Sequence, residues 1–291
     1  MRGMPPNARS LILDLLATVR RGSVPVRALL EAGALFGLRE NGLRVALARL
    51  LAEGAVLREE PGRYRLAGGA LGEWVRSWRD LERRVRRWSG SWVGVHTAGL
   101  PGRAARQRRA RGRALRLCGF RPLAPGLEVR PDNRAGGVAG LRRELVGLGL
   151  EPEAPVFALR ELAPAEERRA RSLWDVAALV AGYRATGAAL ESSAARLPGL
   201  APQAARVESF ELGGAAIRQV LLDPLLPEPI APEAERRALL ESLRRYDAIG
   251  RRVWRGWLGP ESAAEPGGIP AAVSGGRGSR AAAELALGAE A

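Results

Sequence analysis

"FGLRENGLRVALARLLAEGAV", residues 36–56, decides how the rest of the chain is read. From Glu40 to Glu53 the apolar side chains Leu43, Ala46, Leu47 and Leu50 recur three or four residues apart, on one side of an α-helix. Asn41, Arg44, Val45, Ala48 and Arg49 fall on the other side. That second face is short-chained apart from its two guanidiniums. A solvated face ordinarily mixes several long charges of both signs, whereas a helix that lies in the major groove has to stay slim. Arginine offers a planar fork matched to guanine or to phosphate. Asn41, near the helix start, has the groups to read adenine or to hold a phosphate beside the free first-turn amides.

Working outward, residues 8–19 read as a first helix with Leu11, Leu15 and Leu16 inward, and residues 26–36 as a second, shorter one. A tight connection containing Gly37 leads into the third helix. Residues 55–67, "AVLREEPGRYRLA", place a Pro-Gly turn between two short segments with apolar residues at strand spacing. Arg58, Arg63 and Arg65 on that hairpin suit phosphate or minor-groove contacts. Three helices closed by a basic hairpin follow the order of a winged helix-turn-helix.

Downstream, Leu71, Trp74, Trp78, Leu81, Val85 and Trp88 step alternately by three and four, predicting one helix with a narrow seam. That seam suits a dimer contact or a cover for neighbouring cores. Residues 91–99 read as a strand, 103–120 as an arginine-rich helix, and 127–131 as a strand. A helix over 136–148 and a strand over 156–162 follow. With a further short strand near "FRPLA", this is the β-α-β-β-α-β order of a ferredoxin-like domain. Helical patterns then fill 165–187, about 201–222 and 232–258, and a Gly-, Ala- and Ser-rich stretch from Gly259 has no period and reads as a disordered tail.

The chain of 291 residues contains no lysine, so its net charge of +15 rests on 46 arginines. A GC-rich genome exchanges Lys for Arg everywhere, so placement says more than identity. Residues 1–90 carry +8 and 91–163 carry +7, against +2 for 164–258 and −2 for 259–291. The first half therefore faces any polyanion. The seven arginines between Arg103 and Arg116 spread round their helix. They fit a solvated surface, extra DNA backbone contact, or an anionic ligand such as the phosphates of coenzyme A.

Catalytic and metal chemistry find little support in the residues. One histidine, His96, and one cysteine, Cys118, leave no nitrogen–sulfur metal set and no internal disulfide. A phosphate loop of the GxxxxGK[ST] form needs a lysine. No stretch reaches the roughly 20 apolar residues of a membrane span, and no secretory signal is legible. A cytoplasmic protein with no cofactor is expected.

Five stretches carry a resemblance: "ARSLILDLL" with "FGLRENGLRVALARLLAEG" (8–16 and 36–54), "WSGSW" (88–92), "LCGFRPLAPGLEVRPDN" (117–133), "SLWDVAALVAGYRA" (172–185) and "IRQVLLDPLLPEPIAP" (217–232). In this order they resemble the PaaX family of transcriptional repressors over about residues 8–258. The resemblance implies an α+β protein with a winged-helix domain (1–69), a connecting helix (70–90), a ferredoxin-like middle domain (91–163) and a helical C-terminal domain (164–258), before the tail (259–291). It implies a homodimer on an inverted-repeat operator in double-stranded DNA, released by an aryl- or acyl-CoA thioester such as phenylacetyl-CoA. Trp174, Asp175, Tyr183, Arg184, Arg218 and Asp223 match family positions. Of these, Trp174, Tyr183, Arg184 and Arg218 are the candidate effector contacts. The chain departs from the family at "GAAIR" (214–218), where a His-x-Tyr-Arg run is usual, and at "IAPEAE" (230–235), where a Trp-Pro-Gly is usual. The middle domain also looks like the small CRISPR-associated nuclease fold. A metal-dependent nuclease is therefore the alternative, although "VGVHTAGLPG" (93–102) supplies no carboxylate at the end of the first strand.

Overall fold

The computed structural model describes residues 6–18, 23–67, 77–100 and 105–254. Its elements are α-helices and two antiparallel sheets, an α+β protein. The described residues form two compact units, one drawn from those within 6–67, 187–218 and 241–254, the other from those within 77–186 and 219–240.

The first unit begins with α1 (Ala8–Thr18), whose first turn is closed by Asn7: the Ser10 N–H donates to Asn7 Oδ1 at 2.9 Å. Then come β1 (Val24–Pro25), α2 (Val26–Leu35), α3 (Glu40–Ala52), β2 (Val56–Glu60) and β3 (Arg63–Leu66). The sheet order is β1-β3-β2, with Val24 opposite Tyr64 and Val56 opposite Leu66. The two-residue β1 has no sequence signal of its own, being too short to show a period. Leu11, Ile12 and Leu15 of α1 are buried with Leu29 of α2 and Leu43 and Leu50 of α3. The crossing of α2 and α3 depends on Gly33, where an added Cβ would lie 2.1 Å from Leu43 Cδ1. Gly37, at φ 69°, makes the left-handed turn between the two helices.

The same unit also takes the second half of α7 (Val176–Arg196), most of α8 (Pro202–Leu221) and the second part of α9 (Glu233–Trp254), the rest of each helix falling in the other unit. Phe210 lies 5.1 Å from Phe36 between ring centroids and 6.2 Å from Trp254, and Trp254 Nε1 donates to Ser209 Oγ at 3.2 Å. The stretch expected as one C-terminal helical domain thus supplies both units. Amphipathic periodicity shows that a helix buries one face, not which core receives it.

The second unit contains β4 (Trp92–His96), α4 (Ala105–Leu117), β5 (Arg121–Ala124), β6 (Leu127–Pro131), α5 (Gly137–Leu148) and β7 (Val156–Leu159). All neighbours in its sheet, order β5-β6-β4-β7, are antiparallel. Alternate residues of β4 serve opposite faces, as a pleated strand requires. Val93 and Val95 pack with Leu115 of α4 and Leu141 and Leu145 of α5, while Trp92 packs with Trp174 and Leu226.

Two helical expectations differ from the structure. Residues 77–84 form 3₁₀ turns broken at Asp80, not a continuous α-helix, and Val85 leaves them to bridge to Arg134. Trp78 and Leu81 are buried within these turns, so the three-four spacing marks burial without an α-helix. The rest of the expected connecting helix before Ser77 lies outside the described residues, as does the expected tail. The helix expected over 165–187 is divided into α6 (Pro164–Arg171) and α7, because the Asp175 carboxylate accepts the Ala178 N–H at 2.9 Å and starts a new helix.

Candidate nucleic-acid interface

Helix α3 is seated by Leu43, Leu47 and Leu50, which are buried. Its other side, Asn41, Gly42, Arg44, Val45, Ala48 and Arg49, is exposed as the spacing requires. Val45 is 43% exposed, a large apolar side chain with no core to join. A methyl surface between two arginines suits the C5-methyl group of thymine. At the start of the helix Arg39 occupies the cap position and makes no side-chain capping bond, so the first-turn amides are not covered by a side chain of their own.

The basic residues divide into committed and available. Arg44 Nε donates to Glu40 Oε1 at 2.8 Å, one helical turn back, so its charge is partly offset. Arg63 turns inward across the sheet, donating from Nε to Ser23 Oγ at 2.8 Å and from a terminal nitrogen to the Ser23 carbonyl at 2.7 Å. Its role is to tie β3 to the segment before β1. Arg65 lies 3.6 Å from Glu59 and donates to the Leu66 carbonyl. Arg49 and Arg58 are exposed and make no ion pair or side-chain hydrogen bond among the described residues. Of the expected contact residues, the surface therefore presents Asn41, Val45, Arg49 and Arg58 unencumbered. Arg39, exposed beside them, was present in the opening stretch but has no periodic signal, since it precedes the helix.

The four candidate effector residues have different surroundings. Trp174 is buried, nearly parallel to Trp92 at 6.2 Å between centroids, and its buried Nε1 has no hydrogen-bond partner among the described residues. Tyr183 is buried and donates its hydroxyl to Asp223 Oδ2. Asp223 in turn accepts the Leu225 N–H at 2.6 Å. Burial first, and then the Asp223 carboxylate, raise the Tyr183 phenol far above its ordinary range. Arg184 is exposed and bound to Glu235. Those three belong to the second unit, whereas Arg218 belongs to the first and lies 3.8 Å from Asp14.

Among the described residues no three His, Cys, Asp or Glu side chains stand together as a metal set. Burial pushes the Cys118 thiol up to about 12, which makes it a packing residue. His96 is exposed at the end of β4. No helix among the described residues is long and apolar enough to cross a membrane.

Residues 8–66 thus combine three helices with a three-stranded sheet and turn a slim, basic helix face to solvent. Residues 7–70 of the chain match the family model described as PaaX-like protein, which bears out the PaaX resemblance over that stretch. Among solved structures, the chain is similar to the uncharacterized protein Rv0674 from Mycobacterium tuberculosis, at 23% sequence identity and a TM-score of 0.58. That likeness covers 86% of this chain and 98% of the other, and at this identity it concerns the fold. No curated protein matches the chain.

Proposed function

We propose that the chain is a DNA-binding transcriptional repressor of the PaaX type, acting as a cytoplasmic homodimer. The observation that carries this reading is the exposed face of α3, Asn41, Val45, Ala48 and Arg49, inside the stretch that matches the PaaX-like family model. The order α1-β1-α2-α3-β2-β3, with strands in the order β1-β3-β2, supports reading that stretch as a winged helix, with α3 as the recognition helix. The β-α-β-β-α-β order of residues 92–159, with the first and second strands separated by the third, supports a ferredoxin-like middle domain.

Two copies place their α3 helices in successive major grooves of an inverted repeat. Arg49 and Asn41 contact bases or phosphates, Arg44 does so after leaving Glu40, and Arg58 and Arg65 reach the backbone. An acyl-CoA thioester such as phenylacetyl-CoA releases the protein by favouring a dimer geometry in which the two helices no longer match the half-sites. Trp174 is the candidate effector residue best suited to a role beyond packing, because its indole N–H has no hydrogen-bond partner among the described residues.

Fluorescence anisotropy on a labelled duplex from upstream of the protein's own gene, against a scrambled duplex, tests the reading. Selective binding that phenylacetyl-CoA reverses is expected. Equal affinity for both duplexes removes the recognition role.

A further inference from the structure

Helix α4 divides its arginines into paired and unpaired positions among the described residues, a division that its sequence alone conceals. At 100° per residue, Arg106, Arg109, Arg113 and Arg116 fall within an arc of about 80°. The other flank faces inward: Gln107 Nε2 donates to the Gly149 carbonyl at 3.1 Å, and Arg111 pairs with the buried Glu151 at 3.0 Å. Ala110 meets the end of α5 at Gly149, where an added Cβ would lie 3.1 Å from it. Ala114, Leu115 and Leu117 are buried. Arg106, Arg109 and Arg116 are exposed and Arg113 is half-buried, and none of the four has a carboxylate or hydrogen-bond partner among the described residues. The helix has no acidic residue along its length.

We propose that this stripe is a second contact for duplex DNA, one that grips the phosphate backbone without reading bases. The proposal takes its choice of polymer from the repressor reading; the charge geometry stands apart from it. From Arg106 to Arg116 the helix rises about 15 Å, with steps of about 4.5, 6 and 4.5 Å between successive arginines. Long, flexible guanidiniums at that spacing span two to three phosphates of one strand, and each neutralised phosphate releases a counterion. Arginine binds phosphate through paired N–H groups, which suits a backbone contact better than a diffuse charge.

An anionic membrane fits less well. A helix that lies on lipid buries an apolar face among the acyl chains. The apolar face of α4 is already spent on the protein core, and none of the strongly exposed large hydrophobic residues, Val45, Leu57 and Val146, lies on α4.

The test compares the full chain with a variant combining Arg106→Ala, Arg109→Ala, Arg113→Ala and Arg116→Ala. Affinity is measured on operator and scrambled duplexes between 50 and 200 mM salt, buffer values of the order at which counterion release is resolved. The variant is expected to bind both duplexes about tenfold or more weakly, with a salt slope shallower by about 2 to 4. Its operator-to-scrambled ratio is expected to stay unchanged. The exposed pair Arg109→Ala with Arg116→Ala, which touches no core contact, is expected to show about half the change in slope. Four Arg→Lys exchanges keep the slope. An unaltered slope in either alanine variant, with melting like the parent's, overturns the proposal. So does binding to phosphatidylglycerol vesicles that the exchanges abolish while DNA binding persists. If the parent protein does not distinguish the duplexes, the repressor reading fails, yet loss of affinity in the variant still upholds the stripe.

Discussion

Asn133 Nδ2 donates to the Leu225 carbonyl at 2.6 Å, joining two stretches that are 92 residues apart in the chain. Beside it Arg130, fully buried, spends its guanidinium on the carbonyls of Cys118, Pro131 and Pro224 and on Asn133 Oδ1. Burial, and then the nearby Arg134, lower Arg130 to about 9, still charged at neutral pH. The "LCGFRPLAPGLEVRPDN" and "DPLLP" stretches are thus two halves of one buried polar clasp. Asn133→Ala is expected to leave the Leu225 carbonyl unsatisfied and to cost about 1–3 kcal/mol, read from the urea midpoint. Asn133→Asp sets an acceptor against the carbonyl and is expected to melt lower still.

Gly119 belongs to the same clasp. It adopts φ 79°, and a Cβ there would lie 2.9 Å from Pro224 Cα, which is backbone and has no rotamer to yield. Gly119→Ala is expected to destabilise by at least about 2 kcal/mol, from a left-handed conformation costly to L-residues together with overpacking. Thermal melting checks this. A melting temperature unchanged within error contradicts the packing described.

Arg49 and Arg63 separate binding from folding. Arg49→Ala removes an unpartnered surface guanidinium and is expected to weaken operator binding with no change in melting. The salt slope should become shallower by about one if its contact is a phosphate. Arg63→Ala breaks the link to Ser23, so its melting temperature is expected to fall first. Glu40→Gln frees Arg44 from its neighbour, and tighter DNA binding is the expected result in the same anisotropy assay.

Asp14 makes the first unit sensitive to pH. Burial raises its carboxyl from 3.8 to about 6, against the opposing pull of Arg218. The folded state therefore holds a proton between about pH 4 and 6 that the unfolded chain releases. Stability is expected to fall as pH rises through this window, by up to about 3 kcal/mol for this half-buried carboxylate. Asp14→Asn is expected to melt higher than the parent at pH 7 and to lose the pH dependence. Arg218→Ala is expected to melt lower at pH 7 and like the parent near pH 4. Melting curves of the three proteins across pH 4–8 decide the matter.

Tyr183 and Arg184, adjacent in sequence, are expected to respond differently to substitution. Tyr183→Phe deprives the buried Asp223 of a donor and should lower stability, whereas Arg184→Ala gives up an exposed pair with Glu235 and should leave melting unchanged. An effector response that survives both exchanges assigns the pair to structure. Loss of thioester release in Arg184→Ala, with folding intact, assigns that residue to the effector.

The helices and most strands were legible because their signals are local. The α3 stripe Leu43-Leu47-Leu50 follows from periodicity, as does the exposure of Asn41, Val45 and Arg49 opposite it. The alternation of Val93 and Val95 with Trp92 is local in the same sense, and the residues of the PaaX-like match lie within one continuous stretch. What the tertiary structure alone decided is which partner each side chain meets. Arg49 and Arg63 look alike in sequence, yet among the described residues one makes no side-chain bond and the other is bound to Ser23. Trp174, Tyr183, Arg184 and Arg218 read as one candidate set, but packing buries two, pairs a third with Glu235 and puts the fourth beside Asp14. Helical periodicity records that a face is buried, and charge records that a group needs a partner or water. Neither records the identity of the partner, which comes from contacts between residues distant in the chain.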